Sequence, residues 1–240
     1  MTEAKYKRAL LKFSGEVLAA QASGPGGAPN LCLLTDELKA ARDLGVQIAV
    51  VVGGGNLIRG AIAAQQGLDR VAADYMGMLA TVINGLGLVE ILGRNGVAAV
   101  LQSALEVRGV AAPFDRTQAL AALAEGKIVV FSGGTGHPYL TTDTAAALRA
   151  VEIGAEALLV AKSGVDGVYD ADPHHDATAS KFDRLSFKEA IDRELKVMDT
   201  AALCLCRDAG LPIIVFSAAD PANICRALRG EAIGTIITNT

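Results

Sequence analysis

Gln47-Ile-Ala-Val-Val-Val-Gly-Gly-Gly-Asn-Leu-Ile-Arg-Gly60 carries an apolar run straight into three glycines. A strand with one wet face alternates apolar and polar residues. A run that is apolar at nearly every position is covered on both faces, as in a parallel sheet. The glycines remove side-chain bulk, so main-chain N–H groups there can approach an anion closely. Arg59 follows with a planar fork of donors suited to phosphate. A simple tight turn is the plainer reading of the same glycines.

Outward from this stretch the pattern recurs. Strand-like apolar runs lie at 8–13, 97–101, 127–131, 157–160 and 212–216. Helical patterns separate them: 36–44 behind a Thr35 cap and before a Gly45 stop, then 69–92, 116–125, 144–153, 186–194, 199–209 and 222–228. Strand and helix alternate over almost the whole chain. That predicts an α/β protein, a three-layer αβα sandwich with a mainly parallel central sheet, in one domain over 1–240. The stretch 21–30, QASGPGGAPN, reads as loop.

Composition narrows the function classes. Of 240 residues, 51% are hydrophobic and 20% charged, which excludes a disordered chain. The richest apolar stretch, 76–93, is interrupted by Thr81, Asn84 and Glu90, so it reads as a buried helix rather than a membrane span. The net charge of −4 gives no basic field for nucleic acid or anionic lipid. Cys32, Cys204, Cys206 and Cys225 form no C-x-x-C, and the three histidines supply no zinc spacing, so free thiols in a reducing, cytoplasmic compartment are expected.

In open α/β sheets ligands bind beyond the carboxyl ends of the strands, and four loops there are unusual. Lys12-Phe13-Ser14-Gly15 puts a lysine and a small turn after the first strand. Gly53-Gly54-Gly55 follows the second. Ser132-Gly-Gly-Thr-Gly-His-Pro-Tyr-Leu-Thr-Thr-Asp143 leads into a helix whose N-terminus is itself an anion site. Lys162-Ser-Gly-Val-Asp-Gly-Val-Tyr-Asp-Ala-Asp-Pro173 follows the strand at 157–160. Taken singly, Lys12 can be a snorkelling surface residue, Thr142 or Asp143 a helix cap, and Val-Asp-Gly-Val a β-hairpin turn. Taken together, they point to a phosphate-rich ligand spread over several loops. The chain has no Walker A motif, no dinucleotide glycine fingerprint, no protein-kinase signature and no nucleophile elbow. Several anion cradles with scattered cations remain, and these suit phosphoryl transfer, which needs chiefly positioning and charge neutralisation.

At these residues the chain closely resembles the bacterial uridylate (UMP) kinases of the amino-acid-kinase superfamily, from about Tyr6 to Thr238. The ordered marks are Leu11-Lys-Phe-Ser-Gly-Glu16, Val52-Gly-Gly-Gly-Asn-Leu-Ile-Arg-Gly60, Asp74-Tyr-Met-Gly-Met-Leu-Ala-Thr-Val-Ile-Asn-Gly85, Thr135-Gly-His-Pro-Tyr-Leu-Thr-Thr-Asp143, Val165-Asp-Gly-Val-Tyr-Asp-Ala-Asp-Pro173 and Leu195-Lys-Val-Met-Asp199. The resemblance implies transfer of a phosphoryl group from ATP to UMP, with Mg²⁺ carried by the ATP phosphates and no metal site of the protein's own. It implies ATP contacts at Lys12, Phe13, Ser14, Gly15, Gly55, Arg59, Ser163, Tyr169 and Asp172. UMP contacts are implied at Gly54, Asp74, Thr135, Gly136, His137, Pro138, Tyr139, Leu140, Thr141 and Thr142. Lys12 and Arg59 would stabilise the moving group, with Asp143 organising the charges. Asp199 would orient Lys12 or simply cap a helix. A UMP phosphate oxygen is already ionised at pH 7, so no general base is expected, and His137 reads as lining. The family also implies a cytoplasmic homohexamer.

Two departures stand out. The family's common K-A-T-K-V-D-G lysines are replaced by Ala161 and Gly164, with Lys162 between them. Either Lys162 supplies the missing charge or the ATP side is weakened. The loop at 21–30 replaces the usual segment near the effector region, so the resemblance does not by itself extend to control by GTP or UTP. The alternatives are another small-molecule kinase on this fold, or a nucleotide-binding regulator without catalysis.

Overall fold

A computed structural model describes residues 3–15, 17, 32–58 and 67–240. Arg59 and the loop at 21–30 lie outside the described residues. The elements are β1 (Arg8–Phe13), α1 (Cys32–Asp43), β2 (Gln47–Val52), α2 (Arg70–Arg94), β3 (Ala99–Ser103), β4 (Ala112–Pro113), α3 (Arg116–Ala124), β5 (Ile128–Ser132), α4 (Thr142–Glu152), β6 (Ala157–Lys162), β7 (Val168–Tyr169), β8 (Lys181–Phe182), β9 (Arg184–Ser186), α5 (Phe187–Asp192), α6 (Thr200–Ala209), β10 (Ile213–Ser217), α7 (Asn223–Leu228) and β11 (Thr235–Thr238).

Nine strands form one sheet in the order β4-β3-β5-β2-β1-β6-β10-β11-β9. Every neighbouring pair is parallel except β10 with β11. The first strand in sequence thus lies mid-sheet, where its apolar run is covered twice. Leu11 and Phe13 join Val50, Val52, Leu159 and Ala161 in one core layer, beneath Leu38, Leu88, Leu92 and Leu228. Leu10 joins Ala49, Val51, Leu158 and Val160 in the other, beneath Ala146, Ala147, Ala150, Ala202 and Leu203. Period-two alternation puts Lys12 on the second face, at its carboxyl end. The alanines of α4 have no bulk, so that helix lies close to the sheet and its N-terminus comes down onto Lys12.

Helix starts follow the capping rules. Asp69, Asp115, Thr141, Ser186 and Asp199 each accept from a first-turn N–H of the helix that follows. One expectation fails. Thr35 does not mark the start of α1, which already begins at Cys32, and Thr35 is fully buried within it. The buried pair Leu34 and Leu38, one helical turn apart, carries the sheet-facing stripe back a turn beyond the apparent cap. A second correction concerns Asp166-Gly167, which is no two-residue hairpin turn. β7 pairs antiparallel with β8 across residues 170–180. Gly167 is needed for close approach instead, since a Cβ there would meet Thr235 Oγ1 at 2.7 Å.

The apolar helix α2 is only partly a core helix. Among the described residues it alone is long and apolar enough to cross a membrane, yet less than half of its apolar stretch is buried. Ala73, Thr81, Asn84, Leu88 and Leu92 face the sheet. Tyr75, Met76, Leu79, Ile83 and Leu86 are exposed, Ile83 by 62%.

Candidate active site

The carboxyl ends of β1 and β2 and the start of α4 enclose a cleft of about 460 Å³, lined by Lys12, Ser14, Gly15, Gly53, Gly54, Gly55, Thr141, Thr142 and Asp143. Lys12 Nζ stands 2.7 Å from Asp143 Oδ1, with the two side chains only 9% and 19% exposed. That oxygen is buried and has no well-aligned hydrogen bond, so the contact is one of charge. Asp143 sits in the first turn of α4, where the helix dipole favours its negative charge.

The glycine turns are shaped by each other. A Cβ on Gly15 would lie 2.6 Å from Gly55 N, one on Gly53 would lie 2.8 Å from Gly15 N, and one on Gly54 would lie 2.6 Å from Gly77 O. None of these can yield without moving main chain. The tight-turn and anion-cradle readings are therefore compatible: the loops meet back to back, and the bare main chain is left at the cleft. Phe13 contributes only main chain there. Its ring is buried in the opposite core layer, while its carbonyl accepts from Gly53 N at 2.8 Å.

Two residues that sequence reasoning registered only as breaks in an apolar helix hold this rim together. Asn84 Nδ2 donates to Gly53 O and to Asn56 Oδ1, both at 2.7 Å. Thr81 Oγ1 accepts from Gly133 N at 2.7 Å and donates to Met78 O at 2.6 Å. Both are buried, so α2 ties the loop after β2 to the loop after β5. A polar residue on the sheet side of an apolar helix was the available signal.

Asp199 does not touch Lys12. Its Oδ1 accepts from Ala202 N at 2.8 Å, capping α6. Its Oδ2 accepts from Thr144 Oγ1 at 2.6 Å and from Thr141 Oγ1. Thr141 Oγ1 in turn accepts from Asp143 N at 3.0 Å. Of the two sequence readings of Asp199 the structure shows the helix cap; its second oxygen also fixes the start of α4, whose first turn carries Asp143.

The loop between β5 and α4 carries the remaining expected residues. Gly133, Gly134 and Gly136 have positive φ. Thr135 Oγ1 accepts from His137 N at 3.2 Å. His137, Tyr139, Leu140 and Thr141 are exposed, and Gly136 and Pro138 half-buried. Asp74 reaches this loop from α2. Its carboxylate takes Arg70 Nε at 2.8 Å and Tyr139 N at 2.8 Å. Tyr139 holds φ 68°, a left-handed conformation uncommon outside glycine. A larger cleft of about 720 Å³, lined by Ser103, Glu106, Arg108, Phe114 and Arg149 among others, backs onto this loop through Thr135.

Ser163, Tyr169 and Asp172 lie beyond β6, and none of them lines the glycine cleft. Tyr169 OH donates to Asp166 Oδ1 at 2.6 Å, and Lys181 Nζ stands 2.8 Å from Asp166 Oδ2. Those bonds from Lys181 and Tyr169 hold the Asp166 carboxyl below the usual carboxylate range. A bond from the His174 main chain does the same for Asp172. Lys162, the last residue of β6, is largely buried. Burial pushes its ammonium below the usual lysine range, Asp143 draws it back up, and Lys12 pushes it further down.

The arrangement suits anions. It offers a buried cation pinned by one carboxylate, bare main chain on two turns and a helix N-terminus, all at one rim. No histidine lines the cleft, and ionised phosphates would require none.

The comparisons with known proteins agree with this geometry. The model of the amino acid kinase family matches residues 7–217. A uridylate kinase from Limosilactobacillus reuteri is 47% identical over 237 residues, which covers 99% of each chain. Another, from Pediococcus pentosaceus, is 48% identical over 99% of this chain and 98% of its own. The crystal structure of a UMP kinase from Bacillus anthracis superposes with a TM-score of 0.92 at 39% identity, covering 98% of this chain and 96% of that one.

Proposed function

Because the chain belongs to the amino acid kinase family and, within it, to the bacterial uridylate kinases, we propose that it transfers the γ-phosphoryl group of ATP to UMP, giving ADP and UDP. The observation that carries this reading is the Lys12–Asp143 pair set against side-chain-free turns at the carboxyl rim of the sheet.

In this reading a UMP phosphate oxygen attacks the γ-phosphorus in line. The bond from that phosphorus to the β–γ bridging oxygen breaks, and its electron pair stays on ADP. Charge gathers on the equatorial oxygens of the moving group, where Lys12 meets it. Asp143 keeps Lys12 aimed, so little reorganisation is needed at the moment of transfer. The main chain of Phe13, Ser14, Gly15 and Gly55, with Ser163, Tyr169 and Asp172, would hold ATP. Gly54, Asp74 and residues 135–142 would hold UMP, and Arg59 would bridge the two phosphates. Mg²⁺ carried by ATP would neutralise charge on its phosphate oxygens. Among the described residues Asp143 is the one carboxylate lining the cleft, which suits a metal carried by the substrate.

The deciding experiment is steady-state nucleoside diphosphate formation from ATP with UMP, CMP, aspartate or carbamate as acceptor. UDP formation with UMP preferred is the expected result. Preference for another acceptor makes the chain a different small-molecule kinase. Binding of ATP and UMP by calorimetry without turnover makes it a regulator.

The same reading extends to a cytoplasmic enzyme of pyrimidine nucleotide synthesis that assembles as a homohexamer built from dimers. Its support is the exposed stripe of Tyr75, Leu79, Ile83 and Leu86 on α2, whose spacing of three and four residues forms one apolar face. Light scattering should give a hexamer for the native chain and a smaller species for Ile83→Glu. A monomeric native chain at micromolar concentration rejects the assembly.

A further inference from the structure

We propose that Arg70 is a positioning residue of the acceptor side: it fixes the Asp74 carboxylate and backs the Tyr139 ring, so that α2 and the loop after β5 receive the nucleoside monophosphate as one preformed surface. The inference deepens the reading above and rests on it, through Asp74 and Tyr139 as UMP contacts.

The helix itself gives no reason for the pair. Asp69 caps α2, Arg70 is its first residue and Asp74 follows one turn on. A cation in the first turn faces the positive end of the helix dipole, and cation before anion is the weaker order for residues four apart. The reverse order would serve helix stability better. What this order does provide is a guanidinium in contact with both Asp74 and Tyr139.

The contacts close a triangle. Arg70 Nε donates to both oxygens of Asp74 at 2.8 Å. Tyr139 N donates to Asp74 Oδ2 at 2.8 Å. The guanidinium carbon of Arg70 stands 5.3 Å from the centre of the Tyr139 ring. Asp74 is the sheltered member, its side chain 11% exposed against 42% for Arg70. A carboxylate has about four acceptor sites. Two donors hold this one in place, and sites remain for hydroxyl or N–H groups of an incoming nucleoside.

The loop depends on the same triangle. Its ends are tied elsewhere, Gly133 N to Thr81 Oγ1 and Thr141 Oγ1 to Asp199. Between them, among the described residues, the one hydrogen bond that leaves residues 134–140 is Tyr139 N to Asp74. Tyr139 holds φ 68°, a conformation that persists in a tyrosine only when its surroundings enforce it. Arg70 touches both ends of the enforcing bond. Without it, the carboxylate can turn and the loop can relax away from the acceptor.

The test compares the native chain with Arg70→Ala, Asp74→Ala and the double variant. Arg70→Ala should weaken UMP about tenfold, by KM and by calorimetry, within the range found for coupled neighbours. KM for ATP should stay within about twofold and kcat within about threefold, the split of a group that acts on binding of one substrate. The melting temperature should move by no more than about 2 °C, since the ion pair is partly exposed. A merely structural role would lower the melting temperature and weaken both substrates together. Asp74→Ala should weaken UMP at least as much, and the double variant no more than Asp74→Ala, because Arg70 acts through that carboxylate.

UMP affinity in Arg70→Ala within about twofold of native overturns the proposal. So does a parallel loss of ATP affinity. So does a double variant clearly weaker than Asp74→Ala, which would put Arg70 on the ligand itself. A native chain that binds UMP but makes no UDP condemns the parent reading alone, and the calorimetric comparison still decides on Arg70. A native chain that binds no UMP overturns both.

Discussion

The glycine rim and the segment after β6 are built on opposite plans. At the rim the main chain is locked. Glycines of two loops abut, α2 reaches into both flanking loops through Thr81 and Asn84, and the charged pair is almost dry. Beyond β6, apart from the buried bond of Val168 N to Thr235 Oγ1, the bonds are local and wet. Asp166, which is 51% exposed, joins Tyr169 and Lys181 across a two-residue ladder. The difference follows from what each region would do. Stabilising charge in a transition state demands donors already in place. Holding a nucleoside demands surface and hydrogen bonds that can adjust to it. Rigidity is concentrated where, in the proposed reaction, electrons would move.

Four substitutions can break or sharpen this contrast, from strong to weak. Lys12→Ala should slow UDP formation about 10³-fold with little loss of stability. A coupled assay beside a melting curve checks both. Gly54→Ala forces a Cβ to 2.6 Å from Gly77 O and 2.8 Å from the Ala80 Cβ. Overpacking of that kind should cost about 2–3 kcal/mol, a drop of about 5–10 °C in Tm by calorimetry at this chain length.

Asp199→Ala removes the cap of α6 and the anchor of α4 together. It should cost about 1–2 kcal/mol of stability and about tenfold in kcat, roughly 1.4 kcal/mol of barrier. A thousandfold loss would instead place Asp199 beside the reacting phosphates. Asp166→Asn, outside the rim, should change stability by only about 0.5 kcal/mol, because the ion pair is exposed. The sign of its pH dependence is fixed. Lys181 and Tyr169 depress the folded-state pKa, so the contribution is present above the unfolded value of about 3.9 and lost as pH falls through the folded one. Denaturant midpoints of native and variant should therefore converge in acid.

The contrast also explains what was legible in the sequence. β1 and β2 fall where their apolar runs end, because strands covered on both faces have no polar positions to blur the pattern. The edge pieces β4 and β9, and β11 beside β9, were missed, being too short to show a period. Thr35 misled because a good cap residue in a buried stripe looks the same in sequence as one at a helix start. Lys12, Gly54 and Asp143 were readable from their places at strand and helix ends. Asp199's hold on Thr141 and Thr144 was not, since no local pattern links α6 to the turn before α4.

β4, described above as a two-residue edge, ends in Pro113. Proline has no N–H to offer a further strand, and at the opposite margin β9 is only three residues long. Neither border can serve as a template on which another chain zips itself into the sheet. Copies of this protein that crowd together are thereby discouraged from fusing their ladders.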